Sequence, residues 1–163
     1  MKYAGLTCIL CACTLSGCFA SAKLRQTVEQ IRILRRLLSA ICTELQHTLP
    51  FVPDLLCFLA GQAAFRELVF LQEAAANAEN YPECWDKALQ HDSCLTEPVR
   101  DILKTVGQTL GSTTLEGQLS ALTLCQEQLR EIELDAEQKA RQRGNLYCKF
   151  GLLAGCFISI LLL

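Results

Sequence analysis

Residues 24–53 read LRQTVEQIRILRRLLSAICTELQHTLPFVP, and the spacing within them decides the fold. Leu24, Val28, Ile31, Leu34, Leu38, Ile41 and Leu45 recur at intervals of three and four, which lines them up on one helical face. Arg25, Gln26, Arg32, Arg35 and Arg36 take the other positions. Pro50 and Pro53 stop the pattern, because proline has no N–H to continue it, and they allow a new helix to start at about Pro53. A single helix cannot bury its own apolar stripe, so the rest of the chain must supply the partners.

Downstream the sequence is helical throughout. DLLCFLAGQAAFRELVFLQEAAANA reads as one or two helices with a break at Gly61, and ENYPECWDKALQ as a turn and a short helix opened by Pro82. In SCLTEPVRDILKTVGQTLG, Thr96 is placed to cap a helix whose first turn holds Pro98, and Gly111 fits its C-terminal stop. Thr113 or Thr114 can cap the last helix, whose stripe is Leu115, Leu119, Leu122, Leu129, Ile132, Ala136 and Ala140. No run of alternating or β-branched residues suggests a strand. The expectation is an all-α fold, with long antiparallel first and last helices enclosing several short ones.

Both ends are apolar. In a chain of 163 residues, 51% hydrophobic, Tyr3 to Ala22 carries no charge. As a helix that run is about 30 Å long, one bilayer core. Phe150 to Leu163 is again uncharged, and Leu146 to Cys148 extend it past Lys149, which can snorkel to the interface. We read residues 1–22 and 146–163 as transmembrane helices and 23–145 as a helical bundle domain. Lys23, Arg25, Arg32, Arg35 and Arg36 follow the first span, and Lys139, Arg141, Arg143 and Lys149 precede or enter the second. The positive-inside rule then puts the middle of the chain in the cytoplasm and both termini across the membrane. All 17 acidic residues except Glu29 lie between Glu44 and Glu137, against only Arg66, Lys87, Arg100, Lys104 and Arg130 of the 15 basic ones. The formal net charge of −2 hides this acidic head between basic ends.

Leu15-Ser16-Gly17-Cys18 opens an alternative, an exported envelope lipoprotein acylated at Cys18. The charge stands on the wrong side for that signal, mostly after the apolar run. The 11 cysteines include no disulfide-scaffold spacing, as a reducing compartment implies.

Candidates for chemistry are weak. Glu44 and His47 share a helix face as in di-iron bundles, but His91 has no glutamate three residues before it. His91-Asp92-Ser93-Cys94 places a base beside nucleophiles in a short loop without rigid support. Cys8 and Cys11 have redox spacing within an apolar span, where a thiol is a small apolar group. No phosphate-binding glycine loop and no basic patch interleaved with aromatics is present, so no cofactor, metal, nucleic acid or small-molecule substrate is expected. Trp85, the sole tryptophan, fills a core or anchors an interface. Gly151, Gly155 and Ser159 repeat every four residues, as do Ala4, Cys8, Ala12 and Ser16, and such small-residue faces let membrane helices approach closely.

LTEPVRDILKTVGQTLGSTTLEGQLSALTLCQEQLREIELDAEQKARQRGNLYCKFGLLAGCFISILLL, residues 95–163, resembles the C-terminal half of the stage III sporulation protein AB family. The likeness is carried by the Leu-Thr start, Gly107 ahead of Leu110-Gly111, Gln118 after the turn, and the charged helix leading to Leu146-Tyr147 and the Gly151/Gly155 span. The N-terminal span, the basic helix and Trp85 extend it more loosely. An aspartate is usual where Thr114 stands, and threonine also caps helices. The resemblance implies a membrane protein of endospore formers, made in the mother cell and facing the forespore. It is similar in turn to the platform subunit of type II secretion and type IV pilus systems. The function so implied is a non-enzymatic scaffold of the mother cell–forespore transport complex. Its partners would be a secretion-type ATPase and other stage III sporulation membrane proteins.

Overall fold

The computed structural model describes residues 22–48 and 51–142 with their side chains, and the backbone of the two terminal helices between Lys2 and Leu161. Among the described residues every regular element is helical: α1 (Lys2–His47), α2 (Val52–Gly61), α3 (Val69–Ala76), α4 (Glu83–His91), α5 (Glu97–Thr109) and α6 (Leu115–Leu161). Single 3₁₀ turns at Ala63–Phe65 and Ala78–Asn80 lie on either side of α3. The all-α expectation holds. The break expected at Gly61 is the end of α2, where the chain turns extended at Gln62.

Two compact units divide the chain, Ile31–Ile132 and the pair of segments Met1–Gln30 with Glu133–Leu163. In the second unit, Val28 and Glu133 are buried, and Lys139 pairs with Asp135 one turn back at 2.6 Å. Among the described residues no helix is long and apolar enough to cross a membrane. The predicted spans, with Ala4, Cys8, Ala12, Ser16, Cys18, Gly151, Gly155 and Ser159, lie outside the residues whose side chains are described.

The Ile31–Ile132 unit, the head, is built as the stripe demands. Ile31, Leu34, Leu38, Ile41 and Leu45 are all buried, and Leu37 joins them. On α6, Leu122 and Leu129 are buried while Leu115, Leu119 and Ile132 are partly so. The gap that the spacing left between Leu122 and Leu129 is filled by Cys125, a small apolar side chain at 2% exposure. The two long helices meet where Gln126 Nε2 reaches Cys42 Sγ at 3.6 Å. α3 packs on α2 and α4, and α4 packs on α5. Their shared core holds Leu55, Leu56, Leu59, Phe70, Leu71, Trp85, Leu89 and Leu103.

Two expected caps behave differently. Thr114 Oγ1 accepts the Gly117 N–H at 3.4 Å and so serves the first turn of α6. Thr96 occupies the cap position of α5, but its side chain makes no capping bond. Pro98 in that first turn has no N–H to offer, so fewer donors there need a partner.

Candidate functional site at the end of α5

The last carbonyls of a helix have no partner within it. At the end of α5 three of them, those of Val106, Gly107 and Thr109, are met in different ways. Leu110 N–H donates to Val106 O at 3.0 Å, Tyr81 Oη donates to Gly107 O, and Ser112 donates to Thr109 O through both its N–H (3.2 Å) and its Oγ (3.0 Å). Leu110 (φ −62°, ψ 122°) and Gly111 (φ +75°), with the Ser112-to-Thr109 bond, make a type II turn. Its third position demands positive φ, which is why glycine stands at 111. Gln118, one turn into α6, closes the connection: its Nε2 donates to Thr113 O at 2.7 Å and its Oε1 accepts the Gly111 N–H at 3.3 Å. One carboxamide thus ties the turn to the segment that leads into α6. Leu110 is buried beneath it at 3% exposure.

Gly107 stands ahead of this turn. It lies inside α5 and is bare because of Trp85. A Cβ at 107 would stand 2.3 Å from Trp85 Cδ1 and 2.6 Å from Nε1. The indole can therefore lie on the α5 backbone, and its Nε1–H donates to Leu103 O at 2.8 Å. Its ring meets Phe70 edge-on, with centroids 5.4 Å apart. Such a pair is worth about 1 kcal/mol beyond burial. Trp85 is fully buried with its one polar group satisfied, so the interface-anchor reading is corrected: no face of it is left for a partner. Tyr81, next to the cis Tyr81–Pro82 bond, takes the carbonyl one turn beyond the one Trp85 takes. Burial is the first cause that pushes its phenol well above the ordinary range, with Cys84 and Asp86 adding to it.

The chemical candidates come apart. Glu44 and His47 stand at the end of α1, where Thr48 Oγ1 bonds back to Glu44 O at 3.0 Å, and His47 is exposed. Among the described residues no group of three or more His, Cys, Asp or Glu could hold a metal ion. In the His91–Cys94 segment His91 and Asp92 turn to different partners. His91 Nδ1 lies 2.7 Å from Glu73 Oε1, and Asp92, buried, accepts the Cys94 N–H at 2.9 Å. Arg100, which no spacing marked, holds this loop. Its guanidinium donates to the carbonyls of Leu89 (3.0 Å), Asp92 (3.2 Å) and Leu95 (3.3 Å), and it pairs with Glu97 at 2.6 Å. Desolvation pushes up the half-buried thiol of Cys42 and the buried thiols of Cys84 and Cys125, which stay protonated near neutral pH.

Beside the type II turn lies a groove of about 370 Å³. Phe51, Val52 and Pro53 form one wall, Tyr81 and Pro82 another, and Gly107, Gln108 and Leu110 to Ser112 the third, with Glu79 at the rim. The model of the stage III sporulation protein AB family matches residues 2–163, nearly the full length. The chain belongs to that family. The fold agrees: the solved structure of a stage III sporulation protein AB (SpoIIIAB) matches with a TM-score of 0.53 at 22% identity, over 68% of this chain and 93% of that one. A search of curated proteins returned no match. Membership in the stage III AB family makes this a sporulation protein. It brings no support to acylation at Cys18.

Proposed function

We propose that this stage III AB protein is a non-enzymatic membrane scaffold, or platform, of the mother cell–forespore transport complex. It is tethered by helices at residues 1–22 and 146–163, with the domain between them presented to the cytoplasm of the mother cell. In this role the head docks a secretion-type ATPase, while the faces of Gly151, Gly155 and Ser159, and of Ala4, Cys8, Ala12 and Ser16, pack against each other or against neighbouring stage III membrane proteins. The family match over residues 2–163 carries the reading. The charge split supports it, since acidic residues fill the head and basic ones flank the apolar ends.

Topology is the test. Cys94 is exposed on the head, and a membrane-impermeant maleimide applied to protoplasts of sporulating cells reports its side by mass spectrometry. Modification only after permeabilisation is the expected result. Modification in intact protoplasts would overturn the cytoplasmic head and restore the lipoprotein reading. Co-purification with the ATPase then tests docking, and Gly155→Leu tests the packing face through assembly of the complex.

A further inference from the structure

The groove beside the type II turn has the features of a binding cleft. Phe51 is 75% exposed on its wall, the most exposed large apolar side chain among the described residues. Single exposed apolar residues are ordinary on protein surfaces, but this one borders a concavity also lined by Val52, Pro53, Pro82 and Leu110. Two of those are prolines, which offer no N–H to water or to a partner. The turn closes the cleft tightly: a Cβ on Gly111 would come within 3.2 Å of Val52 Cγ2. Charge at the cleft has one sign. Glu79 stands at the rim and Asp54 follows Pro53 directly. Both are exposed, and among the described residues neither is in an ion pair and no cation lines the groove.

We infer that this groove is a docking site for a protein segment that presents an apolar side chain next to a lysine or arginine. The apolar side chain enters between Phe51 and the Tyr81–Pro82 wall, and the cation meets Glu79. The inference rests on the scaffold reading and adds to it where on the head a partner binds. Phe51 also permits a clean test. It occupies the N-cap position of α2 and makes no side-chain capping bond, so Phe51→Ser supplies a better cap while removing the wall. Unchanged far-UV circular dichroism of that variant separates lost binding from an unfolded head.

The experiment uses the full chain in lipid nanodiscs and three labelled peptides of one length, followed by fluorescence anisotropy. One carries a central Leu-Arg, one Leu-Glu and one Ser-Arg. The Leu-Arg peptide is expected to bind about tenfold tighter than the others, and Phe51→Ser to remove about tenfold of that affinity. Glu79→Gln should cost about threefold and weaken the salt dependence, while Val69→Ser, an exposed apolar site away from the groove, changes nothing. Equal binding of the three peptides, no binding at all, or indifference to Phe51→Ser and Glu79→Gln overturns the inference. A parallel assay with purified ATPase separates the two claims. If the wild-type chain fails to capture it while the peptide preference stands, the ATPase reading falls and the groove remains. If wild type and Phe51→Ser capture it equally, the groove is not the site.

Discussion

Replacing Gly107 with alanine sets two physical effects against each other. Alanine in a helix interior is favoured over glycine by about 1 kcal/mol, so on propensity alone α5 should gain. The added Cβ would, however, sit 2.3 Å from Cδ1 and 2.6 Å from Nε1 of an indole that is fully buried. That ring cannot swing aside, because Phe70 meets it edge-on and its N–H is held at 2.8 Å by Leu103 O. Overpacking of this kind costs about 1–3 kcal/mol. Displacing the ring also strands a buried donor, for about 1–3 kcal/mol more. The net loss is then about 3 kcal/mol, which lowers the melting temperature of a domain this size by about 10–20 °C. Trp85 is the only tryptophan, so its fluorescence in urea titrations of the full chain in detergent reports unfolding at the site itself. Trp85→Phe removes Nε1 and the second ring, leaving a smaller ring with room to shift from the added Cβ, and far-UV circular dichroism follows the variants that lack the indole. The double variant should be at least about 1 kcal/mol more stable than the sum of the single losses predicts. A Gly107→Ala head as stable as wild type, or strict additivity with Trp85→Phe, would falsify the close-approach account.

Three further outcomes follow from the same region. Gly111→Ala forces a Cβ into φ +75° beside Val52 and should cost about 1–2 kcal/mol, with Gly111→Asn costing less because asparagine tolerates that region; equal losses in urea titrations would count against the turn assignment. Arg100→Lys should lose about 2 kcal/mol despite keeping the charge, since one ammonium cannot reach three carbonyls and Glu97 together; full stability by the same assay would show that the fork is dispensable. Burial raises the Tyr81 phenol above its ordinary value of 10.0, so its share of stability is complete below about pH 10 and is lost as pH rises through the folded value. Tyr81→Phe should be less stable at neutral pH but flatten the alkaline fall, and an unchanged alkaline slope would refute the link.

How much of this was legible depends on the range of each interaction. Helical periodicity is local, so the stripe from Ile31 to Leu45, the stop at Gly111 and the start near Thr114 could be read from spacing alone. Arg100 and Tyr81 gave no such signal, because both act on carbonyls that tertiary packing brings to them. Thr96 looked like a cap and is not one, which shows that a residue type at the right position does not guarantee the bond.

From the amino-acid order alone came an all-helical chain with an acidic middle, basic flanks and apolar ends, and its resemblance to the stage III AB family. These are properties of composition and period, which need no neighbour from elsewhere in the chain. Only the tertiary structure decided why position 107 is bare, why Trp85 is out of reach of any partner, and that Phe51, Tyr81 and Leu110 share one groove. Each of those depends on α2, α4 and α5 converging, and the distances between residues far apart in sequence exist only once the core has formed.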